Sequence, residues 1–304
     1  MTDRDSSGFL GHLRIIRRLM APIENRRLGL YIGILVGFAV MLTVAARIFD
    51  TTPVALAPAY MFTPLVAGLI VAWRYDIPPT AIGLRLGRGR WLAVAGITAL
   101  PLVGLTLALA IAVPGVGFEP TDPLPGMNLP GGPVGLLATL AIVLGLGTTV
   151  NAVFALGEEV GWRGYLLWEL APLGFWRASA GIGGLWGLWH APVIVAGYNY
   201  PSFPVVGVAA MTVATLAYSP VYTYLVVRAE SVLAAAFLHG VFNASAGAVI
   251  VFAVTDDAVL NELVASPVGA AGIVAFGLAA LAIALVGPPT LSRSRLDGGP
   301  STLE

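Results

Sequence analysis

The sequence predicts an all-α integral membrane protein with about eight transmembrane helices and both termini in the cytoplasm. Hydrophobic residues make up 58% of its 304 residues and charged residues only 11%, whereas a soluble domain carries about 25% charged residues. Charge-free stretches long enough for the roughly 20 residues of a spanning helix recur along the chain. Arginine is concentrated in alternate connections between them. Together these three observations predict the fold class.

The predicted helices are delimited by the charged residues that flank each apolar stretch. The stretch after Arg177 is too long for one helix, and residues 197–204, rich in Pro and aromatic residues, divide it. Seven charge-free windows therefore predict eight helices. The windows lie between Arg27 and Arg47, Asp50 and Arg74, Arg90 and Glu119, Asp122 and Glu158, Arg177 and Arg228, Glu230 and Asp256, and Glu262 and Arg293.

The arginines indicate on which side of the membrane the chain begins and ends. All 16 basic side chains are arginines, and 15 of them fall in the termini or in the second, fourth and sixth connections. Arg47 alone falls on the other side. Because basic residues accumulate on the cytoplasmic side of membrane proteins, both termini are predicted to be cytoplasmic. We expect a multi-pass protein of the plasma (inner) membrane.

The sequence predicts five consecutive segments. In the leader, residues 9–21 would be explained equally well by an amphipathic surface helix or by disorder. The tail is rich in Gly, Ser and Pro, so we expect it to be disordered. The segments are a basic cytoplasmic leader (1–27), three helices with an outside loop (28–132), a core of four helices (133–255), the last helix (256–287) and a cytoplasmic tail (288–304).

Composition excludes several classes of function. The formal net charge is zero, so the basic excess of a nucleic-acid-binding protein is missing and we expect no nucleic-acid partner. There is no cysteine, which excludes disulfides, thiolate metal sites and a cysteine nucleophile. The three histidines are His12, in the leader, and His190 and His239, in predicted helices.

A few polar side chains fall within the predicted helices of the core. Burying a charge in a membrane costs about 2.5–3.5 kcal/mol on insertion scales, so such residues usually mark function. If the fourth helix continues to about Glu169 at the cytoplasmic surface, most of them lie about 14–20 Å from the arginine-rich side, at 1.5 Å per residue, on three different helices. We therefore expect one shared site. The residues are Glu158, Glu159 and Arg163 in the fourth helix, His190 in the fifth, and His239 and Asn243 in the seventh.

The spacing of these residues predicts hydrolysis by an activated water molecule. Glu158 with His190 could hold a water molecule and accept its proton. His239 and Asn243, four residues apart on one helix face, offer hydrogen-bond donors for the oxyanion of a tetrahedral intermediate. This arrangement fits the cleavage of an amide bond in a membrane-embedded cavity.

Other residues are predicted to support this site. Glu159 and Arg163 are four residues apart, so they can form a buried structural ion pair. Trp186 and Trp189 flank His190 and are expected to form an apolar wall beside it, and Pro192 is expected to bend the fifth helix. Two pairs of glycines would let helix backbones approach closely. These pairs are Gly157 with Gly161 and Gly183 with Gly187.

Three other interpretations of the same polar residues remain open. Glu158, His190 and His239 are adequate ligands for a zinc ion, which would make the site metal-dependent. Intramembrane carboxylates and histidines also serve as proton relays in transporters. A purely structural network is the third possibility, because polar groups in lipid must satisfy one another.

Three short motifs resemble those of a known family. Residues 158–164, Glu-Glu-Val-Gly-Trp-Arg-Gly, resemble the EExxxR signature of the CPBP family, the CAAX proteases and bacteriocin-processing membrane proteins. Residues 186–190, Trp-Gly-Leu-Trp-His, resemble its second motif, an aromatic residue four positions before histidine. Residues 239–243, His-Gly-Val-Phe-Asn, resemble the third, HxxxN. The resemblance covers about residues 133–255.

The resemblance implies a type II CAAX prenyl endopeptidase-like protease with its site open to the cytoplasm. Glu158 and His190 would activate water, His239 and Asn243 would stabilise the oxyanion, and Glu159 with Arg163 would support them. We expect no cofactor, because the prenyl-protein endopeptidases of the family resemble metal-independent glutamate proteases, with zinc as the alternative. The expected partners are membrane lipid and a protein or peptide substrate, for which lipid-modified CAAX tails are one precedent. Some members of the family have immunity or other non-catalytic roles.

Overall fold

The computed structural model describes residues 23–119, 127 and 129–296, and this part of the chain is mostly helical, as the sequence predicts. Residues 9–21 of the leader, where the sequence left an amphipathic helix or disorder open, lie outside the described residues, as does the end of the tail. The only strands among the described residues are β1 (Gly117–Phe118) and β2 (Ala253–Val254), which pair antiparallel.

The helices follow one another with short connections. Those of the first half are α1 (Asn25–Ile48), α2 (Ala57–Met61), α3 (Thr63–Arg74), α4 (Gly89–Ile111), α5 (Gly132–Thr148), α6 (Val150–Glu159) and α7 (Leu167–Leu170). Those of the second half are α8 (Phe175–Trp189), α9 (Ala191–Val195), α10 (Pro204–Ala229), α11 (Leu233–Ser245), α12 (Gly247–Phe252), α13 (Ala270–Val286) and α14 (Arg293–Leu296). Short 3₁₀-helical turns cover Pro53–Leu56 and Ala171–Leu173, and π-helical segments cover Val160–Leu166 and Val259–Val264.

Several of these helices are long and apolar enough to cross a membrane. Five such stretches occur in the described chain, or six if Gly132–Thr148 and Val150–Leu173, bent by 41° at their junction, form one span. The chain is therefore a multi-pass membrane protein. This count is lower than the predicted eight because α8 has only 15 residues and α13 only 17, although both lie in longer charge-free windows.

The connections that carry most arginines lie together at one end of the helices. Arg85, between α3 and α4, donates to the carbonyl oxygens of Glu230 and Leu296, each at 2.6 Å. Arg27, at the start of α1, donates through Nε to Glu169 Oε2 at 2.8 Å. We call this set, residues 24–27, 74–89, 169–175, 229–233 and 291–296, the arginine-rich end.

The remaining connections meet at the opposite end. The backbone N–H of Glu119 donates to the carbonyl of Phe252 at 3.0 Å, next to the β1–β2 pair. The N–H of Ser202 donates to the Glu262 carboxylate at 3.0 and 3.3 Å. We call this set, residues 48–56, 111–119, 196–204 and 252–269, the arginine-poor end.

The chain after α13 is more ordered than the sequence predicts. Arg293, 1% exposed, donates to the carbonyls of Trp168 and Glu169 at 3.0 and 3.1 Å, and to Glu169 Oε1 at 3.2 Å. The expectation of a disordered tail is therefore wrong for residues 288–296. The physical reason is that Glu169, assigned by the sequence to the membrane surface, is fully buried and needs cationic partners.

Glycines bring the helices of the core into backbone contact. A Cβ atom on Gly161 would lie 2.4 Å from the backbone of Pro64 in α3, and one on Gly187 would lie 2.4 Å from the Cα of Thr212 in α10. Real Cβ atoms do not approach other atoms so closely. The predicted glycine pairs therefore do allow close helix packing. They hold the fourth helical pass (residues 132–173) and the fifth (residues 175–195) against their neighbours.

We expect Gly187→Val to lower the free energy of unfolding by about 1–3 kcal/mol, because the added methyl groups must push α8 away from α10. Gly184→Val is the matched control on the same helix, since a Cβ there meets nothing within 4 Å. Unfolding of the purified protein by SDS, followed by circular dichroism, measures both. Equal losses would show that helix propensity rather than packing is responsible.

Candidate active site

The paired glutamates lie where the fourth helical pass changes its geometry. Glu158 and Glu159 are the last residues of α6, which continues without interruption into the π-helical segment Val160–Leu166 and then α7. Glu158 is 3% exposed and Glu159 is fully buried. The helix runs on to Leu170, so the fourth helix does continue to Glu169, as the estimated depths of the polar residues require.

The carboxylate of Glu159 joins two helices. Arg163 Nη1 donates to both of its oxygens, at 3.1 and 3.2 Å. His239, on α11, donates from Nδ1 to Oε1 at 2.8 Å. The spacing of the sequence predicted the Arg163 contact. It could not reveal the His239 contact, because that residue lies 80 positions further along the chain.

Arg163 is enclosed by aromatic rings. Its Cζ atom lies 4.2 Å from the ring centroid of Trp186 and 4.6 Å from that of Tyr222, and Nη2 donates to Ser219 Oγ at 3.3 Å. The side chain is 1% exposed. Its assignment to an arginine-rich connection was therefore wrong, because its charge is compensated inside the protein by Glu159 and by the π-electrons of the two rings.

Trp186 positions both Glu158 and His190. Its indole Nε1–H donates to Glu158 Oε2 at 2.7 Å. Its backbone carbonyl oxygen lies 2.8 Å from His190 Nδ1, and because a carbonyl only accepts, Nδ1 carries the hydrogen. The sequence predicted only an apolar wall here. Trp186 instead orients the Glu158 carboxylate and holds the His190 hydrogen on Nδ1, so that Nε2 is a hydrogen-bond acceptor when the ring is neutral.

His190 lies at a break in the fifth helical pass. α8 ends at Trp189 and α9 begins at Ala191, because Pro192 lacks the N–H that would continue the hydrogen-bond ladder. The imidazole ring is stacked parallel to Tyr198, with ring centroids 6.5 Å apart and an interplanar angle of 6°. The break therefore turns this histidine towards the arginine-poor end.

Trp189 forms one wall of the site. Trp189 is stacked on Tyr60, with ring centroids 4.3 Å apart, and its Nε1 donates to Thr63 Oγ1 at 3.2 Å. The hydroxyl of Tyr60 donates in turn to the carbonyl of Trp189 at 2.6 Å. These contacts fix the wall between α2, α3 and α8.

One cavity of about 140 Å³ brings four of the singled-out residues together. Glu158, His190, His239 and Asn243 all line it, although they come from three helical passes. Aromatic side chains make up much of the remaining wall: Tyr60, Trp186, Trp189, Tyr198, Tyr218, Tyr222 and Phe242. Of these, Trp186 and Trp189 were predicted from the sequence beside His190; the others were not, since ring contacts between distant helices leave no local pattern.

The cavity reaches the arginine-poor end of the protein. Its lining includes Val54, Asn199 and Val268, which belong to the connections at that end. Further along the fourth helical pass, towards the arginine-rich end, Trp162 and Leu166 are fully buried. The predicted opening of the site to the cytoplasm stays a prediction. The estimated depths of about 14–20 Å from the arginine-rich side already lie near or beyond the middle of a hydrocarbon core of about 30 Å.

The side chains proposed as zinc ligands are not arranged as a ligand group in the described residues. No set of three or more His, Asp and Glu side chains there could hold a metal ion. His190 and His239 each use Nδ1 in a hydrogen bond, to Trp186 O and Glu159 Oε1. Each retains Nε2, so the chelator experiment described below tests the zinc alternative.

Comparison with known proteins identifies the core region. Residues 133–245 match the family model described as type II CAAX prenyl endopeptidase Rce1-like. This match confirms the resemblance to the CAAX proteases, and it contains all three motifs. No curated protein matches the chain.

We expect Glu159→Gln to lower the free energy of unfolding by about 3–5 kcal/mol, because it leaves the buried Arg163 without its counter-charge. The control is Glu230→Gln, which breaks a partly exposed pair with Arg88 and should cost less than about 1 kcal/mol. SDS-induced unfolding measures both variants. A similar loss of unfolding free energy in the two variants would contradict a special role for the buried pair of Glu159 and Arg163.

Proposed function

We propose that this chain, whose residues 133–245 match a prenyl endopeptidase family model, is an intramembrane endopeptidase. It hydrolyses a peptide bond with a water molecule activated by Glu158 and His190. The observation that carries the proposal is the single cavity lined by Glu158, His190, His239 and Asn243. Each of these residues occupies its place in one of the three motifs.

Water activation rests on the two groups that Trp186 orients. Glu158 Oε2 accepts the indole N–H, and Oε1 has no hydrogen-bond partner among the described residues, so it is available to a water molecule. His190 Nε2 is an acceptor in the neutral ring. The carboxylate takes the proton as the water oxygen attacks the scissile carbonyl carbon, and then transfers it to the leaving amine.

Oxyanion stabilisation falls to His239 and Asn243. The Asn243 amide supplies N–H donors directly. His239 donates from Nδ1 to Glu159, so it donates from Nε2 as well only when the ring is protonated. Glu159 thus both orients this ring and compensates its charge in the transition state.

The charges of the cluster favour this protonated ring. Two buried carboxylates, Glu158 and Glu159, face a single guanidinium, that of Arg163. A protonated His239 makes the four side chains neutral as a group, which lowers the cost of placing them in a low-dielectric interior. Glu159 and Arg163 accordingly have supporting rather than catalytic roles.

We further propose that the chain crosses the plasma membrane eight times with both termini in the cytoplasm. Residues at the start of α1 and after α13 meet at the arginine-rich end, as do the second, fourth and sixth connections. The first, third, fifth and seventh connections belong to the arginine-poor end. This alternation, together with the positive-inside rule, supports the arrangement.

The proposed substrate is a protein or peptide at the membrane. An apolar cavity of about 530 Å³ between α1 and α8 shares Tyr60 and Trp189 with the site. An apolar chain attached to the substrate could lie there, which supports lipid-modified peptides as one substrate class. No cofactor takes part in the proposed reaction.

We expect Glu158→Gln to lower kcat by about 10²–10⁴-fold, because the amide cannot accept the proton of water. KM should change little, since glutamine keeps an acceptor for the Trp186 indole. Quenched fluorogenic peptides, with and without a prenylated C-terminal cysteine, measure the rates in detergent or liposomes. Glu230→Gln, the same substitution on a surface ion pair, is the control.

Undiminished cleavage by Glu158→Gln would contradict the assignment of the proton acceptor. If no peptide is cut by the unmodified protein, while proton or solute flux into liposomes is abolished by Glu158→Gln, the transporter interpretation replaces the protease.

We expect cleavage to continue unchanged in the presence of EDTA or 1,10-phenanthroline, because protonation of His239 and the Asn243 amide supply the positive end of the oxyanion site. Metal analysis of the purified protein accompanies this measurement. Inhibition by the chelators that added zinc reverses would instead support the metal-dependent alternative.

A further inference from the structure

We propose that a second cavity at the arginine-poor end, with three asparagine side chains in its wall, is the entrance for the substrate. An extended polypeptide segment would then reach the site from the non-cytoplasmic side of the membrane. This inference rests on the proposed peptidase function, and it identifies the substrate as a segment exposed on, or translocated to, that side.

The second cavity adjoins the site. It has a volume of about 440 Å³ and shares Tyr198, Asn199, Phe242, Asn243 and Val268 with the first cavity. Asn243, the proposed oxyanion donor, lies on both walls. A chain that occupies the second cavity therefore passes directly beside the group that would polarise its scissile carbonyl. We call the second cavity the entry cleft.

The chemistry of the entry cleft suits a peptide backbone. Asn199, Asn243 and Asn261 contribute side-chain amides to its wall, and each can donate to a carbonyl and accept from an N–H. The apolar cavity between α1 and α8, by contrast, is lined almost entirely by hydrocarbon and aromatic side chains. The polar part of a substrate therefore has its complement at the arginine-poor end.

A buried carboxylate gives the entry cleft a fixed shape. Glu262, 8% exposed, accepts the backbone N–H of Ser202 and so joins the fifth connection to the seventh. Tyr200 in the fifth connection also donates to the carbonyl of Val268 at 2.8 Å. The two connections thus form a preorganised rim around the cleft.

The side of the membrane follows from the arginines. Among the described residues, Arg47 is the one arginine near the arginine-poor end, whereas Arg27, Arg85, Arg88 and Arg293 all lie at the other end. The positive-inside rule makes the arginine-rich end cytoplasmic. The rim of the entry cleft consequently faces away from the cytoplasm.

Single-cysteine variants test this inference, because the natural chain contains no cysteine. Asn261→Cys places a thiol in the entry cleft, and Asp256→Cys places one at the same end outside its lining. Leu86→Cys, at a position that is 77% exposed, marks the arginine-rich end. The probe is a sulfonated maleimide that does not cross membranes.

In intact cells we expect the maleimide to label Asn261→Cys and Asp256→Cys, and to label Leu86→Cys only after the cells are disrupted. The reverse pattern would overturn the assignment of the side. These labelling results are independent of catalysis, so they stand even if the proposed function fails.

In the purified protein we expect the adduct at Asn261→Cys to abolish cleavage of fluorogenic peptides, and the adduct at Asp256→Cys to leave it unchanged. Each unlabelled variant is its own control for folding. Retained cleavage with the Asn261 adduct, or loss with both adducts, would overturn the entry cleft while leaving the peptidase assignment intact. If the unmodified protein cuts nothing, the proposed function itself fails.

Discussion

The buried carboxylate of Glu159 is the constraint on which the rest of the site depends. A charge with no exposure inside a membrane protein must be compensated by the protein itself, and Arg163 and His239 provide this compensation from two helical passes. The guanidinium is covered in turn by the rings of Trp186 and Tyr222, from two further passes. The contacts of this one carboxylate and of its arginine partner therefore hold four helical passes together around the cavity.

This dependence explains why the two motif glutamates have different surroundings although they are adjacent. Successive residues on a helix point about 100° apart. Glu159 faces the cation and α11, where its oxygens are fully engaged. Glu158 faces the cavity, where Trp186 engages Oε2 alone. Because Glu159 is held by its structural contacts, its neighbour Glu158 is available for the proton transfer that we propose.

The membrane class and the grouping of the motif residues could be predicted from the sequence, because hydrophobicity and helical spacing are local properties. The contact of Glu159 with Arg163 follows from the same local geometry. The contact of Glu159 with His239, the indole donor of Trp186 and the burial of Arg293 could not be predicted, because they depend on packing between distant segments. The end of the helices that the cavity reaches could not be predicted for a similar reason, since residue counting along single helices says nothing about which connections close over a site.

The pairing of Arg27 and Arg293 with Glu169 has a consequence for biogenesis. Arg27 is synthesised before the fourth helical pass, which carries Glu169. Arg293 is synthesised after all the helical passes of the described chain. Until the segment after α13 has emerged from the ribosome, Glu169 has only one strong cationic partner among the described residues. The fourth helical pass of a nascent chain is thus incompletely anchored, and the candidate site gains its last ionic support only when residue 293 has been added.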